Sequence, residues 1–205
     1  MKIVYYAGWT FFRSITKILF RIKISGKENI PKTGGFILAP NHQSYLDPPV
    51  VGSWAPRAVY FMTKAELFEN AILGWYLFNT NARPVKRGAM DRQAIKTILD
   101  IIDKGHGVTI FPEGTRSVSG EFLEPKAGIG MIATKAQCMI IPTYVNGFNR
   151  LSDCFWGKGK LTITYGKAIP AEWVMAQEKG KIGYNAIAQR VMAEIQKIKD
   201  NLLNS

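Results

Sequence analysis

Apolar residues in this chain come in short runs separated by helix-length amphipathic stretches, and that alternation limits the fold more than any other feature. Residues 22–25, 36–39, 58–62, 108–111, 139–145 and 161–165 read as strands. Residues 65–78, 91–104, 128–137 and 185–203 read as helices. The clearest is 91–104: Asp91 can cap it, Ile95, Ile98, Leu99 and Ile102 share one face, and Gly105 stops it. The closing helix repeats Ile187, Val191, Ile195, Ile198 and Leu202 along one side. Strands that alternate with helices imply an α/β domain with a central, mostly parallel sheet flanked by helices. No repeat, low-complexity tract or interdomain linker interrupts it.

At 205 residues the chain forms one domain with a substantial core. Its balance of 27 Lys+Arg against 15 Asp+Glu gives a net charge of +12, which calls for a negative partner. Zinc-ligand spacings, nucleic-acid motifs and runs of consecutive Lys or Arg are missing, so nucleic acid is not the expected partner. Cys138 and Cys154 stand far apart and read as free thiols in a reducing compartment.

Residues 3–22 are the most apolar segment. Arg13, Lys17 and Arg21 interrupt the length that a transmembrane span needs. Phe11-Phe12-Arg13 is no signal-peptidase site. On a helical projection Thr10, Arg13, Ser14, Lys17 and Arg21 form a narrow polar wedge, which Ile3 and Tyr6 intrude upon. Trp9, Phe11 and Phe12 belong to the broad apolar face. The pattern favours a helix lying in the headgroup plane, with Trp9, Phe11, Phe12, Arg13, Lys17 and Arg21 at the interface. The alternative is a helix packed on the core with its basic stripe in water. Residues 1–22 are therefore assigned to an amphipathic membrane-interface helix and 23–205 to the domain proper.

Two loops carry chemistry. Asn41-His42-Gln43-Ser44-Tyr45-Leu46-Asp47 follows the strand at 36–39, at the carboxyl end where α/β sheets bind ligands. On a continuous helix His42 and Asp47 would point about 140° apart, so the chain must bend for them to meet. Pro48 and Pro49 favour such a bend, with Asp47 as a helix N-cap. One carboxylate oxygen could then cap while the other orients the His42 ring as a general base. Asp47 as a cap alone is the simpler reading, and His-x4-Asp by itself is a weak signal. His106, in a helix-to-strand turn with no carboxylate placed to orient it, reads as a surface residue.

The second loop is Phe111-Pro112-Glu113-Gly114-Thr115-Arg116-Ser117. Pro112 must end the strand before it. The Arg116 fork suits a phosphate, and Glu113 could orient that fork or accept from a substrate hydroxyl. An exposed Glu/Arg pair in a tight turn is the competing reading. Residues 79–88 add positive charge, including Arg83. Lys126 opens the next helix, whose amino end also attracts anions.

Together these motifs resemble the lysophospholipid acyltransferase family, whose members acylate glycerol phosphate and lysophosphatidate. The resemblance covers roughly residues 24–170. It is carried by Asn41-His42-Gln43-Ser44-Tyr45-Leu46-Asp47 and by 111–117, and less specifically by Pro84-Val85-Lys86-Arg87 and Ile141-Pro142-Thr143-Tyr144-Val145. It implies that His42 is the base and Asp47 its orienting partner. It also implies that Arg87, Glu113, Gly114, Thr115 and Arg116 bind the phosphate and glycerol of the acceptor, with Arg83 and Lys126 as further contacts. Pro142 reads as a strand-shaping residue.

The implied reaction moves a fatty acyl group from acyl-CoA or acyl carrier protein to the sn-2 hydroxyl of 1-acyl-glycerol-3-phosphate. It needs no metal or cofactor, and its implied partners are an anionic membrane surface, the lysophospholipid acceptor and the acyl carrier. The implied place is peripheral, on the cytoplasmic face of the cell membrane. Two other classes stay open. One is a hydrolase using Ser44, against which the lack of a Gly-x-Ser-x-Gly elbow counts. The other is a non-catalytic binder of anionic lipid.

Overall fold

The computed structural model describes residues 2–86, 91–117 and 119–204. Its elements in chain order begin with α1 (Lys2–Ile18), β1 (Lys23–Ser25), β2 (Phe36–Pro40) and α2 (Asp47–Trp54). Then come β3 (Val59–Lys64), α3 (Ala71–Asn79), β4 (Ala82–Val85), α4 (Arg92–Asp103) and β5 (Gly107–Thr109). The last are α5 (Gly128–Ala136), β6 (Met139–Asn146), α6 (Leu151–Phe155), β7 (Thr162–Tyr165), α7 (Ala171–Met175) and α8 (Lys181–Leu203).

Among the described residues the strands form one sheet in the order β1-β7-β6-β2-β5-β3-β4. Every neighbouring pair is parallel except β6 and β7. The expected mostly parallel α/β sheet is therefore the one found. β2 sits at its centre and is buried along its length, because helices cover both faces. Its side chains alternate accordingly. Ile37 joins Val108, Ile140 and the apolar stripes of α4, α5 and α8 on one face, while Phe36 and Leu38 join Val50 and Val51 of α2 on the other. Each such side chain contributes about 1.5–3 kcal/mol by leaving water.

α4 forms as its sequence predicts. Asp91 Oδ1 accepts from Ala94 N–H at 3.0 Å, and its other oxygen accepts from Lys86 N–H at 2.9 Å. These N–H groups hold the Asp91 carboxyl below its ordinary range.

The single helix expected at 65–78 is instead a 3-10 turn, Ala65–Phe68, followed by α3. Asn70 breaks it by capping α3, its Oδ1 accepting from Leu73 N–H at 3.0 Å. Gly74 lets the turn cross closely, since a Cβ there would lie 2.8 Å from Phe68 O. β4 falls within residues 79–88, which the sequence marked only by their positive charge. Pro84 is tolerated because β4 is the edge strand, paired only with β3.

α1 lies against α2 and presents to it part of the face assigned to the membrane. Arg13 Nε donates to Ser53 O at 2.6 Å and Nη2 to Ala55 O at 3.3 Å, and the guanidinium stacks 3.5 Å from the Trp9 ring centre. Trp9 Nε1 donates to Gly52 O at 3.2 Å, and Phe12 packs on the core. The physical reason is the carboxyl end of α2, whose carbonyls have no partners within the helix and attract a cation. Trp9, Phe12 and Arg13 thus face the domain, whereas Phe11, Ile18, Lys17 and Arg21 stay exposed. Among the described residues no helix is long and apolar enough to cross a membrane.

Candidate active site

The loop from β2 into α2 brings His42 and Asp47 together. Asn41 starts it by imitating one more strand residue: its Oδ1 accepts from Val145 N–H at 2.7 Å and its Nδ2 donates to Val145 O at 3.0 Å. The chain then turns, and His42 Nδ1 meets Asp47 Oδ2 at 2.8 Å. The same oxygen accepts the N–H groups of Gln43 at 2.6 Å and Ser44 at 2.7 Å. Asp47 is fully buried, and its Oδ1 has no hydrogen-bond partner.

Asp47 is not the N-cap that the sequence suggested. α2 starts at Asp47 itself, and no side chain caps it. Pro48 and Pro49 carry no N–H, and Val50 N–H is already bonded to Leu46 O, so the carboxylate has nothing there to cap. All of its bonded capacity goes to the histidine loop.

The His42 ring stacks on Phe111, with ring centres 3.9 Å apart. A carboxylate on Nδ1 leaves Nε2 as the basic nitrogen, and Nε2 has no hydrogen-bond partner among the described residues. Ser44 Oγ accepts from Leu46 N–H instead of approaching the ring.

Glu113 does not pair with Arg116. It is buried, with Oε1 accepting from His42 N–H at 2.8 Å and Oε2 from Leu123 N–H at 2.9 Å. Burial pushes its carboxyl above the ordinary range, opposed by the N–H groups of Leu123 and His42. Ser117 N–H donates to His42 O at 2.8 Å, so both peptide groups of His42 are held by the second motif.

Gly114 turns at φ +70°, a conformation that favours glycine, and Thr115 is exposed. Arg116 lies 3.5 Å from the centre of the Tyr45 ring and pairs with no carboxylate among the described residues. A guanidinium spread on an aromatic face keeps its donors free for an anion. Lys126 is exposed beside Gly114, its Cγ 3.2 Å from where a Cβ would stand there.

Arg83 does not face an open anion site: Nη1 donates to Phe78 O at 3.0 Å and Ala82 O at 2.7 Å, and the group packs on Phe78 and Tyr60. Arg87 lies outside the described residues. His106 is half-buried beside Tyr60 rather than free on the surface.

His42 lines a cavity of about 890 Å³, and most of the other walls are apolar. Tyr5, Trp9 and Phe12 of α1 close one side, Phe61 and Met62 of β3 another, and Tyr76 and Leu77 of α3 a third. Its size lies in the range that holds a drug-sized or lipid-chain ligand. Lys64 and Lys86, both exposed, also line it.

Sequence reasoning missed the roles of Asn41, Tyr45 and Phe111. Asn41 and Phe111 flank the motif residues, which was the available signal. No spacing rule pairs Tyr45 with Arg116.

Similarity to known proteins agrees with this geometry. A 1-acyl-sn-glycerol-3-phosphate acyltransferase of Bacillus subtilis is 28% identical over 183 residues, covering 88% of this chain and 89% of that protein. One of Streptococcus pneumoniae is 26% identical, covering 80% of this chain and 61% of that protein. The crystal structure of the 1-acyl-sn-glycerophosphate acyltransferase of Thermotoga maritima superposes with a TM-score of 0.74 at 25% identity, covering 97% of this chain and 80% of that one. Residues 21–146 match the family described as Acyltransferase, so both motif loops lie within the match and the chain belongs to that family of enzymes.

Proposed function

We propose that this protein is a 1-acylglycerol-3-phosphate O-acyltransferase that makes phosphatidate on a membrane surface. The observation that carries the reading is a histidine whose Nδ1 is fixed by a buried carboxylate and which lines a large, mostly apolar cavity. The names of the relatives above support lysophosphatidate as acceptor.

In this reading the acyl chain occupies the cavity, with its thioester carbonyl beside His42. The sn-2 hydroxyl of the lysolipid gives its proton to His42 Nε2 as its oxygen attacks that carbonyl. The tetrahedral intermediate collapses by breaking the carbon–sulfur bond, and the imidazolium returns the proton to the departing sulfur. Asp47 holds the tautomer and stabilises the imidazolium. Arg116, with Arg87, positions the acceptor phosphate, which makes the attack effectively intramolecular. The thioester is already activated, so the reaction needs no metal or other cofactor.

The acyl carrier, coenzyme A or acyl carrier protein, is anionic, and the net charge of +12 favours its approach. In this reading the enzyme works peripherally on the cytoplasmic face of the cell membrane, a position that a lipid acceptor and a cavity walled in part by α1 support.

The test is thiol release from palmitoyl-coenzyme A, with and without lysophosphatidate, for wild type beside His42→Ala. Release should need both the lysolipid and His42, with phosphatidate as product, and the variant should lose several orders of magnitude. Wild-type turnover by His42→Ala would refute the base. Release without acceptor would identify a thioesterase.

A further inference from the structure

α3 presents an apolar surface that the fold leaves uncovered on its outer side. Its nine residues, Ala71–Asn79, include no charged side chain. Its inner side supplies Tyr76 and Leu77 to the cavity wall. Its outer side leaves Ile72 83%, Trp75 60% and Phe78 46% exposed. A helix apolar all round belongs in an apolar medium, and here protein covers only one side.

Charge and position say what covers the other side. Lys64 and Lys86, at the ends of the strands on either side of α3, are exposed and line the cavity. α3 touches α1, where the Tyr76 hydroxyl comes within 3.3 Å of a Cβ position on Gly8. α1 itself exposes Ile3, Phe11 and Ile18 and carries the exposed cations Lys17 and, just beyond it, Arg21. Apolar side chains bracketed by cations match an anionic bilayer: the rings and aliphatic groups enter the acyl region and the lysines meet headgroups. A second copy of the chain fits less well, because it would bring like charges together across the contact.

We infer that the outer face of α3, through Ile72, Trp75 and Phe78, inserts into an anionic bilayer and seats the mouth of the cavity on it. The membrane contact is then a surface of the catalytic domain, built around the residues that wall the cavity. A lipid can pass between bilayer and cavity without crossing water. The inference deepens the lysolipid acyltransferase reading and rests on it for that purpose, while the contact itself is measurable without any substrate.

The experiment places an environment-sensitive fluorophore at Ile72→Cys in the full chain, with Lys135→Cys on α5 as the reference site. Vesicles of phosphatidylcholine and phosphatidylglycerol should shift the Ile72→Cys emission to the blue, and lipids spin-labelled in the acyl chain should quench it. The reference site should do neither. Separately, Ile72→Ser with Trp75→Ser should weaken vesicle binding at least tenfold, read by co-sedimentation. Turnover of a short-chain lysophosphatidate that is monomeric in water should stay as in wild type.

Unshifted emission at Ile72→Cys on vesicles, or wild-type vesicle affinity of the double variant, would overturn the inference. A blue shift that follows protein concentration without lipid would also overturn it, in favour of a second copy. If neither wild type nor variant turns over the soluble acceptor, the acyltransferase reading fails while the vesicle result stands by itself.

Discussion

Asp47→Asn tests the reading of the site more sharply than removal of the base, because the structure fixes how the amide must sit. One carboxylate oxygen takes three donors, from His42 Nδ1, Gln43 N–H and Ser44 N–H, and the other has none. An asparagine that put its NH2 group among those donors would face them with further hydrogens. The amide oxygen therefore occupies the Oδ2 position, and the NH2 group goes to the buried site where Oδ1 has no partner. The ring keeps its proton on Nδ1, and the fold keeps its loop. A buried unsatisfied NH2 costs about 1–3 kcal/mol, and it replaces an equally unsatisfied oxygen.

What the variant loses is the charge. An imidazolium and a carboxylate about 4 Å apart between charge centres attract by about 4 kcal/mol at an effective dielectric of about 20. A neutral hydrogen bond retains about 1 kcal/mol of this. The transition state should therefore lose about 3 kcal/mol, or roughly 100–200-fold in kcat.

The melting temperature should move little. Initial rates of thiol release, with a thermal melt of each protein, measure both. A loss of about 10⁴-fold, the size expected when an asparagine forces the wrong tautomer, would refute the placement of the amide. A loss below about threefold would refute the electrostatic role itself.

Two further substitutions separate positioning from binding. Glu113→Gln keeps one acceptor oxygen but turns an NH2 group towards the backbone N–H of His42 or Leu123, and kcat should fall by about tenfold or more at the cost of one hydrogen bond. Its stability at neutral pH should change little, because the buried charge disappears together with that bond. Since burial raises the wild-type carboxyl, wild-type stability is fully present below about pH 4.3 and declines as pH rises through the raised value, a decline that urea unfolding should find absent from the variant. Tyr45→Leu removes the ring under Arg116 and should raise the acceptor KM about two- to fivefold, the worth of an exposed cation–π contact, with kcat unchanged and Tyr45→Phe restoring it. An unaltered KM in Tyr45→Leu would mean that the stacking does not prepare Arg116.

The parallel sheet was legible because its central strands carry apolar residues on both faces, which the runs at 36–39, 108–111 and 139–145 display directly. β4 was not legible, because an edge strand has little to bury and tolerates both Arg83 and Pro84. The His42–Asp47 contact was legible from the two prolines that bend the chain, yet those prolines also remove the N–H groups that Asp47 was expected to cap. Arg13 belonged to a polar wedge on the helical projection, but a projection does not record the open carbonyls at the end of α2. Glu113 shows the same gap. Its neighbours in sequence suggest a partner for Arg116, whereas its partners in space are peptide groups of residues 42 and 123.

That last arrangement explains how catalysis can stand on loops. Asn41 is fixed to β6 as though it were another strand residue, and His42 is held at its N–H by Glu113 and at its carbonyl by Ser117. The second motif therefore does two separate things. Its buried members, Glu113 and Ser117, mould the backbone that carries His42, while Arg116 turns outward onto the Tyr45 ring. Changes to the buried members should reach kcat even with saturating acceptor, because they displace the base that both substrates meet. Changes to Arg116 or Tyr45 touch neither peptide group of His42 and should appear in the acceptor KM. The division follows from which side of the turn each residue occupies, and adjacency in sequence hides it.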